Sequence, residues 1–292
     1  MSQLATAGSA WRPLLGVDPP RLSEARQQAH HAIQWLARTA RAYLPSQPDD
    51  GHTNLGWDDS ENSFATLAMH DGTRLCLNLG SLTLVLHCGG NNALQFPLDG
   101  HTDRQARQWL GEVLGARGLD PNLVDAPSPY AIPVHALTES GRYDAADVPH
   151  ALAELAAWFA NAESSLSRIQ EQLIERKFAA SEVRCWPHHF DLATLASLPA
   201  RDGETGYVGV GLSPGDGYYD EPYFYVSVYP KPDPATLPEL PALGWWHTRD
   251  FTAGVAPAHQ IMTAKSPKIE SEGFLSAAVE ASIKILGKPI SN

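Results

Sequence analysis

The chain has 292 residues, 43% of them hydrophobic, enough for one large domain or two modest ones. Its formal net charge of −12 repels nucleic acid and anionic membranes, and the densest basic stretch, Arg38 to Arg41, carries only two charges. No apolar run is long enough to span a bilayer, and the three cysteines lack a Cys-x-x-Cys spacing, so a cytoplasmic protein without nucleic-acid or membrane partners is expected.

Met1 to Ala10 lacks the charged and apolar regions of a secretion signal and reads as a frayed tail. Leu22 to Leu44 reads as a helix. Its stripe is Leu22, Ala25, Ala29, Ile33, Leu36, Ala40 and Tyr43, and Pro45 ends it. A polar loop, Ser46 to Glu61, follows. Phe64 to Met69 reads as a strand that meets a turn at Asp71-Gly72. Leu75, Leu77 and Leu79 alternate with polar partners, as do Leu82, Leu84 and Leu86 after Gly80-Ser81. If Gly80-Ser81 is a two-residue turn, Cys76 opposes Val85 and Cys88 lies on the other face, so no disulfide joins them. Asn91 to Pro97 adds a fourth strand. Thr102 is placed to cap a helix carrying Ala106, Trp109, Leu110, Val113 and Leu114, ending near Gly115 or Gly118.

Leu119 to Arg142 is rich in proline and turn residues and reads as a connector. The longest helix follows. Val148, Leu152, Leu155, Phe159, Ala162, Leu166, Ile169 and Leu173 step by four and three, which makes one apolar face. Asp144 or Asp147 is the expected cap. A scaffold helix packed on a sheet is the expected use of that face. Strands resume at Val183 to Leu198, then around Val208–Leu212 and Phe224–Val228. Tyr229 to Leu243 holds five prolines and reads as an extended surface segment. Phe251 to Val255 reads as a last strand. A final helix carries Phe274, Leu275, Ala278, Ser282, Ile283 and Leu286, closed by Gly287 and Pro289.

The element order repeats as long helix, antiparallel strands, closing helix. This predicts an α+β fold of two similar halves, 1–125 and 126–292, related by a pseudo-twofold duplication. Two independent domains split near residue 125 are the alternative.

Two segments concentrate polar and aromatic groups. The first is Trp186-Pro187-His188-His189-Phe190-Asp191-Leu192-Ala193. The second is Ser213-Pro214-Gly215-Asp216-Gly217, followed by Glu221-Pro222-Tyr223-Phe224-Tyr225. On a strand, His189 and Asp191 share one face, and such a pair can give a metal two ligands. Asp216, Asp220, Glu221, His247 and His259 are the available further ligands, none at a diagnostic spacing. No cofactor is implied. The Gly-rich stretch lacks the Lys and Ser/Thr of a phosphate loop, and Asp216 reads as a turn cap. Tyr223, Tyr225 and Tyr229 line one face of a strand, and Gly209 and Gly211 line one face of the strand before it. If those faces coincide, the rings lie over bare backbone.

These same segments carry a resemblance. Trp186 to Ala193, the Pro214-Gly215-Asp216 turn, Glu221-Pro222-Tyr223 and Phe251-Thr252-Ala253-Gly254-Val255 resemble the motifs of a bacterial family known only as a domain of unknown function. The match covers roughly residues 140–286 well and the N-terminal half more loosely. It implies the module and assigns no chemistry. The residues leave two readings open. One is a small-molecule-binding protein or enzyme with its site near His188, His189, Asp191, Asp216, Glu221, Tyr223 and Tyr225. The other is a non-catalytic structural or interaction module in which the same residues staple the sheet.

Overall fold

The computed structural model describes residues 11–88, 93–139, 141–200 and 204–287. Met1 to Ala10, Asn91 and Pro289 lie outside these ranges. The fold is α+β and contains two units of sheet and helix.

The first unit opens with α1, Pro19–Tyr43, whose proline stands at the first helical turn where its missing N–H costs nothing. Five strands follow: β1, Gly56–Asp58; β2, Ser63–Ala65; β3, Arg74–Asn78; β4, Thr83–His87; and β5, Ala93–Pro97. They form an antiparallel meander in chain order. Cys76 opposes Val85 and Leu77 opposes Leu84, the register expected from a turn at Gly80-Ser81. All three cysteines are free thiols. Helix α2, Asp103–Gly115, closes the unit. Thr102 caps it through a reciprocal pair of bonds with Gln105, so two orphan donors are satisfied together.

The second unit opens with α3, Pro149–Glu175. Every residue of its expected stripe is buried. Strand β6, Ala179–Ala180, and strand β7, Arg184–Trp186, both pair with β8, Asp191–Pro199. Then come β9, Thr205–Ser213; β10, Tyr223–Tyr229; β11, Trp245–His247; and β12, Ala253–Pro257. The sheet order is β11-β12-β10-β9-β8-β6. A short α4, Ala258–Thr263, leads into α5, Pro267–Leu286. The β3–β4 and β9–β10 hairpins both sit in the middle of their sheets.

Several expectations are corrected. Neither Asp144 nor Asp147 caps α3: Val148 stands at the cap and makes no side-chain bond. The loop expected at 46–61 contains β1, which carries one large apolar residue and is a strand because β2 pairs with it, with Leu55 just before it bridging to the second unit. The run Val183–Leu198 is broken by a turn at 187–190, so His188 and His189 are not on a strand. Strand β11 and helix α4 are too short to show a period.

Among the described residues the units meet at several places. Leu55 N donates to Cys185 O at 3.0 Å, and Cys185 N returns a bond to Leu55 O at 2.8 Å. This antiparallel bridge joins the sheets edge to edge. Behind it α1 packs on α3. Phe64, Phe159 and Phe190 come together there, with ring centroids 4.9, 5.1 and 6.0 Å apart. Such contacts add roughly 1 kcal/mol beyond the burial of their area. One continuous apolar core runs from Leu22 to Leu286 through both units.

The second sheet has two unlike faces. Val208, Val210, Leu212, Phe224, Val226 and Val228 form the buried inner face, with α5 packed on β9 and β10. Asp191, Gly209, Gly211, Ser213, Tyr223, Tyr225 and Ser227 alternate with the inner residues and form the outer face.

Candidate functional site

The site begins at the turn before β8. Phe190 takes a left-handed φ of 60°, and the N–H groups of His189 and Phe190 both donate to Trp186 O. The buried Phe190 ring holds this conformation in place. It stacks on His30 of α1 at 5.4 Å with the planes 13° apart. The chain then enters β8 with Asp191 on the outer face.

Tyr225 reaches Asp191 across a whole strand. In the register, Tyr225 opposes Gly211, and Gly211 opposes Ala193. Because Gly211 has no side chain, the Tyr225 ring lies over its backbone, as the aromatic and glycine faces led us to expect. A Cβ at Gly211 would stand 2.5 Å from the Tyr225 hydroxyl and 2.8 Å from Leu192 O. The Tyr225 hydroxyl donates to Asp191 Oδ2 in a short hydrogen bond.

A second carboxylate–tyrosine pair lies beside the first. Tyr223 donates to Asp216 Oδ2 at 2.6 Å. Asp216 Oδ1 accepts from the N–H groups of Tyr218 and Tyr219 at 2.7 and 3.1 Å, so Asp216 also caps its turn. Tyr219 donates to His247 Nδ1 at 2.9 Å, and His247 Nε2 donates to Arg249 O at 2.6 Å. Both ring nitrogens are therefore committed. Phe251 stacks on this fixed imidazole at 4.3 Å.

These groups line an open cavity of about 190 Å³, formed by His189, Asp191, Ser213, Asp216, Tyr223, Tyr225, Ser227 and Phe251. No lysine or arginine lines it. Burial pushes the Asp191 carboxyl up from its ordinary value, and the Tyr225 bond only partly opposes this. Burial also raises the Tyr225 phenol, helped by the Asp191 charge, and raises Tyr223, helped by Asp216. Asp191 keeps some exposed surface as a residue, yet its Oδ1 has lost solvent contact and no other residue donates to it, leaving the Tyr225 bond on Oδ2 and the carboxyl's own backbone N–H as its hydrogen bonding. An unpaired buried carboxylate oxygen costs about 1–3 kcal/mol or more.

Of the seven residues proposed from the sequence, five line the cavity: His189, Asp191, Asp216, Tyr223 and Tyr225. His189 arrives from the turn and not from a shared strand face. It also does not pair with Asp191, whose hydrogen bond comes from Tyr225. His188 points elsewhere, packed 4.1 Å from the His189 ring and 5.5 Å from Tyr130. Glu221 fastens the start of α4 by accepting from His259 N at 2.8 Å and meeting His259 Nδ1 at 2.7 Å. Ser213, Ser227 and Phe251 were not anticipated as lining residues. Ser213 is the register partner of Tyr223, and Ser227 lies one alternation beyond Tyr225, so the pattern did contain them. Phe251 was expected to open the last strand, but that strand, β12, begins at Ala253, and Phe251 reaches the cavity from the loop before it.

Among the described residues, no three His, Cys, Asp or Glu side chains gather in an arrangement that would hold a metal ion. No described helix is long and apolar enough to cross a membrane. No family model, curated protein or solved structure matches the chain.

Proposed function

We propose that the chain binds a small polar molecule in the outer-face cavity of the second sheet, as a binding protein or as an enzyme acting on that molecule. The observation that carries this reading is Asp191. Its Oδ1 is buried without a donor from another residue, in a wall shared with a second carboxylate and two tyrosine hydroxyls. Folding alone gains nothing from such a group, whereas a ligand that donates to it, once a small shift of the lining side chains uncovers it, offsets its cost. The cavity is smaller than the usual range for drug-sized ligands, which supports a small metabolite. The free thiols support a reducing, cytoplasmic setting. We also carry forward the resemblance to the bacterial family of unknown function, with the two units as products of a duplication.

The structural reading has its own support in Asp216, both of whose oxygens are satisfied within the chain. A thermal-shift screen of small metabolites on the parent and on Asp191→Asn separates the two. Binding predicts hits with the parent that vanish in the folded variant. A complete absence of hits, with a variant less stable than the parent, would support the staple.

A further inference from the structure

Resting on the binding reading above, we propose that the ligand is a small organic cation, an alkylammonium or quaternary ammonium group. Asp191 would be its counter-charge, with the rings of Tyr223, Tyr225 and Phe251 as its walls.

The lining has the chemistry of a cation site. Two carboxylates, Asp191 and Asp216, are present with no lysine or arginine to balance them. An anion would meet both and find no fixed positive partner. A neutral polyol could donate to Asp191 Oδ1 but would leave the buried charge uncompensated. A primary, secondary or tertiary alkylammonium does both at once, whereas a quaternary ammonium, which has no N–H, compensates the charge alone and is held by the ring faces. The aromatic part of the wall points the same way. Tyr223 and Tyr225 both line the cavity with their rings 6.2 Å apart and the planes 54° from parallel, each hydroxyl bonded to one of the two carboxylates. Ring faces attract cations, more strongly where water is excluded.

The surroundings agree. The nearby Asp220, Glu221 and Asp250 are already paired with Arg26, His259 and Arg249, so it is the formal net charge of −12 that favours approach by a cation. A metal ion is less suited than an organic cation, because no third ligating side chain joins the set among the described residues. The groups facing Asp191 are Tyr225 from β10, His189 from the turn, Asp216 from the 213–222 loop and Cys185 from β7. Of these only His189 could carry a positive charge, and it is exposed.

The test uses the intact chain with tetramethylammonium chloride and methylammonium chloride. Sodium chloride is the ionic-strength control, and glycerol, sodium acetate and magnesium chloride are the competing chemistries. The expected result is a Tm rise of about 2–4 °C beyond equal sodium chloride for an ammonium salt at ten times its Kd. Asp191→Asn should lose this shift. Saturation-transfer NMR of tetramethylammonium on the parent needs no variant and should show contact with aromatic protons. If Asp191→Asn does not fold, that spectrum decides. If glycerol, acetate or magnesium stabilises the parent while neither ammonium salt does, the cation assignment is overturned and the binding reading survives. If none of these probes and no metabolite in the screen binds, both fall.

Discussion

His30 offers a sharp test of how the two units are joined. It sits on α1, and its Nε2–H donates to Pro187 O at 3.0 Å, a carbonyl that also accepts from Gln34 at 2.8 Å. The imidazole is only 8% exposed and stacks on Phe190. Burial lowers its pKa from 6.5 to about 4, the Pro187 bond opposes this, and His31, Arg26 and His189 add smaller like-charge effects. In the unfolded chain the same group takes a proton near 6.5. The contribution is therefore complete above pH 6.5 and is lost as pH falls toward 4. Between pH 7.5 and 4.5 the loss is roughly 2.5 kcal/mol. Urea unfolding at several pH values, parent against His30→Gln, measures it. The variant should start less stable at pH 7.5, having lost the stack, and should fall less steeply with acid. If the two curves stay parallel from pH 7.5 to 4.5, the buried-neutral account of His30 is wrong.

Three other outcomes follow from the packing. Leu155→Ala, at a fully buried position on α3, should cost about 2–5 kcal/mol in denaturant unfolding, as core cavities do. A loss well under 1 kcal/mol would contradict the burial. Gly211→Ala should displace the Tyr225 ring and cost about 1–3 kcal/mol, because the new methyl meets both the phenol and the Leu192 carbonyl. It should also loosen Asp191, which a change in the tyrosine absorbance near its ionisation range would report. Thr102→Ala should cost about 1 kcal/mol through loss of the capping box, read by the same unfolding assay.

Much of this architecture is legible in the sequence because it depends on local period. The α3 stripe, the Gly80-Ser81 register, the Thr102 cap and the glycine floor under the tyrosines all follow from spacings of two, three and four. What spacing could not give is the bridge between the units. Leu55 and Cys185 pair because two folded sheets meet there, and nothing local marks either residue. Ala65-Thr66-Leu67-Ala68 recurs as Ala193-Thr194-Leu195-Ala196, but in different registers: Ala65 pairs with Gly56, one residue after the bridging Leu55, and Ala193 with Arg184, one residue before the bridging Cys185. Both threonines are buried and hydrogen-bonded.

The site was legible in composition and misread in geometry. His189 and Asp191 were placed on one strand face, whereas Phe190 adopts a left-handed φ and bends the chain between them. The aromatic stack that stabilises that turn comes from His30, 160 residues earlier. Glu221 stood with Asp216 among the candidate site residues in the sequence. It is drawn away by His259 at the start of α4, an element too short to be foreseen.

The central claim is that Asp191 is kept for a ligand and not for the fold. The most direct measurement is the unfolding free energy of Asp191→Asn against the parent from pH 4 to pH 8. Burial raises this carboxyl, so the folded state binds its proton more tightly than the unfolded state does. Parent stability is then lost as pH rises from about 3.8 through the raised value, and the amide removes that loss. The account predicts a variant at least as stable as the parent at pH 8, with its advantage shrinking toward pH 4. A variant less stable by 1–3 kcal/mol at pH 8, with no such trend, would show that the carboxylate staples the sheet.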